Sequence, residues 1–148
     1  MSIDTSGKWW VGGEPADVRG FLEAYAEKGY ELHQFRLSTC RCGCIEFHLH
    51  ADDNEGVAIR VCAKCAAEHF ICDSGEFWED AEPEQWRCIK KCKSDVCNVG
   101  VGFSQYADSP TSIKWIYIGV RCARCGILGC FAGWKVAQDD VGHLFEQA

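Results

Sequence analysis

Four short cysteine pairs carry most of the chemistry available to this chain: Cys40/Cys42, Cys62/Cys65, Cys88/Cys92 and Cys122/Cys125. They run short pair, spacer, short pair, and the order then repeats. The two C-x-x-C pairs, Cys62-Ala63-Lys64-Cys65 and Cys122-Ala123-Arg124-Cys125, are near copies. Two thiolates on one tight turn can grip a single soft cation while a distant pair completes the tetrahedron. The spacing therefore predicts two metal sites, one held by Cys40, Cys42, Cys62 and Cys65, the other by Cys88, Cys92, Cys122 and Cys125. A site closed by four thiolates keeps no coordination position for a substrate, so the expectation is structural metal and no enzymatic activity.

Four cysteines remain, and superposing the two stretches assigns two of them. Setting Cys42 on Cys92 and Cys65 on Cys125 places Phe47 on Cys97 and Phe70 on Cys130, which reads Cys97 and Cys130 as small buried hydrophobes. Cys44 stays open as a replacement for Cys40 or Cys42, although Gly43 would then sit inside the pair instead of after it. Cys44 and Cys72 also raise the question of a reactive thiol near a cationic centre, with inert filler as the favoured alternative.

This arrangement resembles a pair of zinc ribbons, in which a cysteine knuckle, a hairpin and a second knuckle hold one structural zinc. The resemblance rests on Cys40-Arg41-Cys42-Gly43 with Cys62 to Cys65, and on Cys88 to Cys92 with Cys122-Ala123-Arg124-Cys125-Gly126. Gly43 and Gly126 fit the C-x-x-C-G form, whose turn aims backbone N–H groups at sulfur. The first knuckle of each set departs from it, one being C-x-C and the other C-x-x-x-C. The resemblance implies two structural Zn2+ per chain, and all-thiolate sites favour zinc. Two other classes stay open. The knuckles also resemble rubredoxin, implying an iron electron carrier, and spare thiols suit a thiol or zinc sensor; many zinc ribbons bind nucleic acid.

The elements that must position these turns are legible in part. Residues 14–29 read as a helix with Pro15 in its first turn, Asp17 near its positive end and Gly29 as the stop. Its apolar stripe, Val18, Phe21, Leu22 and Tyr25, is expected to pack on the first metal unit. The spacers, 19 residues between Cys42 and Cys62 and 29 between Cys92 and Cys122, each read as strand, turn, strand. Residues 45–50 and 57–61 alternate about the turn 52–56; residues 98–104 and 113–120 form the longer hairpin, with a loop expected at 105–112. Further strands are expected at 69–72 and 128–136, a linker at 81–85 and a last helix at about 140–147. Trp78, Trp86, Trp115 and Trp134 are expected to fill the interface between the copies.

The predicted fold class is therefore α+β: an N-terminal helix followed by two zinc-ribbon-like β units related by a pseudo-twofold repeat. The segments are 1–38 (helical), 39–80 (unit 1), 84–137 (unit 2) and 138–148 (short helix), together one compact domain. The 148 residues are 47% hydrophobic with six Trp and eight Phe, enough apolar surface for a core. No signal-like or spanning apolar stretch occurs, so a cytoplasmic location with reduced thiols is expected, with no membrane partner. The formal net charge of −7 drops by two further units with each tetrathiolate and its dication, which disfavours nucleic acid. The expected partner is another protein, and the acidic cluster Asp73, Glu76, Glu79, Asp80, Glu82 and Glu84 could dock a basic one.

Other chemistry is weakly signalled. His48 and His50 share a strand face and could ligate metal, but solvated histidines are the commoner case; His69 could hydrogen-bond near Cys65. No H-x-E accompanies a P-C-x-x-C, so the deaminase pattern is missing, and no G-x-S-x-G or P-loop occurs. Val99-Gly100-Val101-Gly102-Phe103 reads as a strand with small residues on one face, not as a phosphate cradle. Arg41, Arg60, Lys64, Lys90, Lys91, Lys93, Arg121 and Arg124 could form a local basic patch.

Overall fold

A computed structural model describes residues 3–27, 29–72, 74–88, 92–106, 109–136, 144, 147 and 148. The chain starts with a two-stranded ladder of β1 (Ile3–Asp4) and β2 (Val11–Gly12), followed by α1 (Asp17–Ala26) and β3 (Gln34–Leu37). A hairpin, β4 (Phe47–Asp52) and β5 (Val57–Cys62), follows, then β6 (Glu68–Phe70), the short helix α2 (Ser74–Phe77), a 3₁₀ turn (Trp78–Asp80) and β7 (Glu84–Gln85). The long strands β8 (Cys97–Tyr106), β9 (Ser109–Cys122) and β10 (Leu128–Lys135) complete it.

These strands correct the expected α+β plan of a helix and two separate ribbon units in pseudo-twofold relation. Among the described residues the chain is mainly β, with one ten-residue helix and, beside the β1–β2 ladder, one antiparallel sheet of eight strands, whose main path runs β10-β9-β8-β4-β5-β6. The physical reason is at the junction. An isolated hairpin exposes unpaired strand edges, and here β4 uses its edge to pair with β8 through Phe47 opposite Cys97. The likeness of the two halves stops at their cysteine turns: β4 and β5 have six residues each, β8 and β9 ten and fourteen. The loop expected at 105–112 is also shorter, since pairing runs on to Tyr106 opposite Ser109.

Phe47–Cys97 is the single register pair between β4 and β8. Beyond it the strands part: β7 takes the edge of β4 and β3 takes that of β8. The sheet thus turns a corner and curls over one core. Phe47 and Leu49 meet Val99, Val101, Phe103, Ile116 and Ile118 there, all fully buried, with Trp86 and Trp134 beside them. The β4–β5 turn reaches across to β10, where the Gly133 N–H donates to Asp53 Oδ1 at 2.9 Å.

The opposite face of β8–β10 carries α1. Val18, Leu22 and Ala26, spaced by four residues, are its buried stripe, and Asp17 Oδ2 accepts the Glu14 N–H at 3.0 Å at its start. The expectation that the helix packs on the first metal unit is overturned: it lies on β8, β9 and β10. Gly100 and Gly119, opposite each other in register, clear the space. Of the four tryptophans expected between copies, Trp86 and Trp134 enter the main core. Trp115 lies on the helix side, and Trp78 packs edge-on against the exposed Phe70. The expected last helix falls mostly outside the described residues; Leu144 is buried in the main core.

Candidate metal centres

The corner of the sheet gathers the cysteine turns. Cys62 ends β5 opposite Phe47, Phe47 faces Cys97, and Cys97 faces Cys122 at the end of β9. Three interstrand steps of about 4.8 Å separate Cys62 from Cys122, about 14 Å along the sheet. The two sites are therefore independent, because a two-metal centre needs ions about 4 Å apart.

Within each site the geometry is tight. Cys40, Cys42, Cys62 and Cys65 place their sulfurs all within 4.8 Å of one another, and so do Cys88, Cys92, Cys122 and Cys125. The closest approaches are 3.5 Å (Cys40–Cys65) and 3.6 Å (Cys42–Cys62) in the first, and 3.5 Å (Cys88–Cys125) and 3.7 Å (Cys92–Cys122) in the second. A tetrahedral ion with metal–sulfur bonds of about 2.3 Å has sulfur–sulfur edges of about 3.8 Å. A disulfide needs about 2.05 Å. Two cysteine tetrads that can hold metal ions are thus in place, and their zinc-ribbon-like character lies in the turns. No known protein family, curated protein or solved structure matches this chain.

The two C-x-x-C turns share their backbone bonds. Cys62 N–H donates to Ala67 O and Cys122 N–H to Ile127 O, both at 2.9 Å; Ala66 and Gly126 N–H groups return to the Cys62 and Cys122 carbonyls, also at 2.9 Å. N–H groups also point at sulfur: Lys64 and Cys65 at Cys62 Sγ, both 3.4 Å, and Cys125 at Cys122 Sγ, 3.5 Å. Such donors stabilise thiolates that bear a metal.

Every cysteine pair is followed by a residue of positive φ: Gly43 (90°), Ala66 (64°), Lys93 (49°) and Gly126 (82°). The left-handed residue turns the chain back so that both sulfurs point the same way. Gly43 in this role places the turn after Cys42, while Cys44 Sγ lies by the backbone of Glu46 and outside the tetrad. Ala66 and Lys93 carry the strain of a side chain in this region. Ala66→Gly, at an exposed site, is expected to stabilise the protein by about 0.5–1 kcal/mol. Gly43→Ala, with open space around its Cβ, should cost about 1 kcal/mol. Gly126→Ala should cost clearly more, since its Cβ would lie 2.6 Å from the Gly12 carbonyl that accepts the Arg121 Nε–H. Thermal melts of the three variants check the order.

Four sulfurs crowded together cannot all ionise without a cation between them. The Cys65 N–H, then that of Lys64, brings the Cys62 thiol down to about 6. Against the pull of the Ala67 N–H, the neighbouring Cys40 and Cys62 push Cys65 up to about 12, and Cys42 also stands above its ordinary value. In the second tetrad the Ser94 N–H helps bring Cys92 to about 7. At pH 7 a dication entering the first tetrad must displace at least the protons of Cys42 and Cys65, so at least two protons should leave per ion. Protons and metal compete, so affinity falls as pH falls, with a further loss below about 6 when Cys62 also takes up a proton. Calorimetry in buffers of different ionisation enthalpy reads the proton count.

The remaining candidates lie elsewhere. Cys97 is fully buried and burial pushes its thiol well up; Cys72 Sγ packs near the Leu144 carbonyl; Cys130 is partly buried on the helix side. Phe70, its expected counterpart, is 40% exposed. His48 Nδ1 lies 3.6 Å from Asp95, and His69 Nε2 lies 2.9 Å from the Gln147 carbonyl. Neither belongs to a tetrad.

Sequence reasoning misplaced one residue of consequence. Arg60, expected in a basic surface patch, is only 6% exposed, with its guanidinium 4.8 Å over the Phe47 ring. Burial lowers its pKa, and the adjoining Cys40 and Cys62 oppose that. It is a buried cation beside the first tetrad. Arg121 is likewise committed, to Gly12 and Asn98, so the patch reduces among the described residues to Arg41, Lys64, Lys93 and Arg124.

Proposed function

We propose that the chain is a noncatalytic zinc protein with two structural four-cysteine sites, which fix a rigid β module for interaction with another protein. The observation that supports this reading is that each site brings four thiols of this chain within 4.8 Å of one another, one for every corner of a tetrahedron. Zinc is favoured over iron because both sites lie at the corner that joins the sheet, where a redox-inert ion serves best. Replacing the metal with Co2+ gives a direct test. Closed sites should show the spectrum of tetrahedral tetrathiolate cobalt, unchanged on adding azide or imidazole. A spectrum that shifts on addition reveals an open position and sinks the noncatalytic reading.

One observation favours a second reading, a zinc-thiolate redox sensor. Cys42 and Cys65 of the first tetrad are exposed, whereas no thiol of the second is. Peroxide should then release one ion per chain with reductant restoring it; release of both together, or of neither, contradicts the sensor. Nucleic-acid binding is not supported by the acidic chain or by the reduced basic patch.

A further inference from the structure

On the helix side of the sheet, α1 leaves part of β9 and β10 uncovered. Six aromatic rings line that space in an unbroken series. Trp10 meets Phe21 at 5.9 Å between centroids, Phe21 meets Tyr25 at 6.1 Å, and Tyr25 meets Tyr117 at 5.9 Å. Tyr117 meets Trp115 at 6.4 Å, and Trp115 stacks on Tyr30 at 5.2 Å. The cleft they border measures about 890 Å³, within the usual range of ligand sites. Trp10, Phe21 and Tyr25 also wall an adjoining cleft of about 480 Å³, so the groove is continuous. Tyr25 is 53% exposed and Tyr30 36%. Trp10, Phe21 and Trp115 are half-buried and Tyr117 is buried behind them, so the exposed edge of the series is Tyr25 and Tyr30.

The rings are held in place. The Tyr117 hydroxyl donates to the Tyr30 carbonyl at 2.7 Å and accepts the Tyr30 N–H at 3.1 Å, which fixes the middle of the series. Beside the middle of the series stands Asp53, whose Oδ1 accepts the N–H of Gly133, the residue opposite Tyr117 in register. Its charge has no cationic partner among the described residues, and Glu27 lines the same cleft. An ammonium already uses one of these rings, since Lys114 Nζ lies 4.6 Å from the Tyr30 centroid. Ring faces present negative charge, so a set of them beside a carboxylate matches a cation with a hydrocarbon surface. The chain's charge of −7 has the same sense at longer range. Nucleobases would also stack here, but their phosphates would meet that field and Asp53.

We propose that this groove binds an organic ammonium, quaternary or methylated, with its head against Tyr25 and Trp115 and Asp53 as counter-ion. The same chemistry reaches the groove from a small choline-like molecule or from a methylated lysine of a polypeptide. The inference stands apart from the metal reading.

The test uses the full metal-loaded chain and tryptophan fluorescence. It is titrated with choline, with choline's neutral tert-butyl isostere, and with a short trimethyl-lysine peptide beside its unmethylated form. The cation should bind roughly tenfold or more tighter than the neutral isostere. Tighter binding of choline than of the peptide assigns the small molecule, and the reverse assigns the polypeptide. Asp53→Asn keeps the acceptor for Gly133 and removes the charge, so it should weaken binding roughly tenfold; Tyr25→Ala, at an exposed position, should weaken it roughly fivefold. Phe70→Ala, on the edge strand β6, should change nothing. Equal binding of the neutral isostere, binding unmoved by Asp53→Asn, or no binding of any cation overturns the proposal. Metal content measured on the same samples separates its failure from failure of the metal reading.

Discussion

Cys122→Ser is expected to abolish cooperative folding, while Cys97→Ala, directly opposite it in register, leaves a folded protein. Both side chains are fully buried at the same corner of the sheet, so burial alone would make the two similar. They differ in what the sulfur holds. Structural zinc contributes on the order of 10–16 kcal/mol of binding free energy in small sites at neutral pH, against a total folding stability of about 5–15 kcal/mol for a domain. Loss of one ligand forfeits much of the first quantity and leaves three crowded thiols without a cation. Loss of the Cys97 sulfur leaves a small cavity, at a cost of about 1–2 kcal/mol. Thermal melts by circular dichroism, with metal content measured on each variant, distinguish them: Cys122→Ser should melt without a cooperative transition and Cys97→Ala a few degrees below the wild type. Equal losses would mean that the corner is held by packing and not by metal.

Gly119→Ala should rank next, at about 3 kcal/mol. A Cβ there would lie 2.7 Å from Val18 Cγ1 and 2.9 Å from Leu22 Cδ1, and both side chains are fully buried, so neither can swing into solvent. The helix must lift from the sheet. Gly129→Ala is the control, since its Cβ would meet Val120 Cγ2 at an ordinary 3.7 Å; its effect should stay within about 0.5 kcal/mol. Adding Val18→Ala to Gly119→Ala removes one of the two clashes and should recover about 1 kcal/mol relative to additivity in a double-mutant cycle. Denaturant melts of the four chains supply the numbers. Because the helix sits on the face away from the cysteine tetrads, metal content should be unchanged in Gly119→Ala.

What could be read in advance follows from how local each determinant is. Thiols on a tight turn declare themselves by spacing, which is why the eight cysteines sorted into the tetrads that the fold assembles. The helix was legible from Pro15, Asp17 and the Val18 and Leu22 of its stripe, but Tyr25, expected on that stripe, is 53% exposed and Ala26 is buried in its stead. Its docking face was not, because an apolar stripe says nothing about which sheet will receive it. The signal lay in Gly100 and Gly102, small residues on one face of a strand, whose use became visible only with Gly119 beside Gly100 in register. The corner had no local signature at all. One pair, Phe47 with Cys97, joins segments 50 residues apart in sequence and turns two expected units into one sheet. The left-handed turns were half legible, at Gly43 and Gly126, and hidden at Ala66 and Lys93, where residue type gives no hint that the turn imposes positive φ. Arg60 was mistaken for surface charge because its burial depends on the Phe47 ring and on Ala148, whose carbonyl it reaches from 88 positions away.

The most direct test of the central claim is X-ray absorption spectroscopy, with elemental analysis, on protein purified without added metal. Two closed tetrathiolate centres predict two zinc ions per chain, each with four sulfur neighbours at about 2.3 Å and no nitrogen or oxygen in the coordination sphere. A fitted sphere with three or fewer sulfurs, or fewer than two ions bound to fully reduced protein, would contradict it.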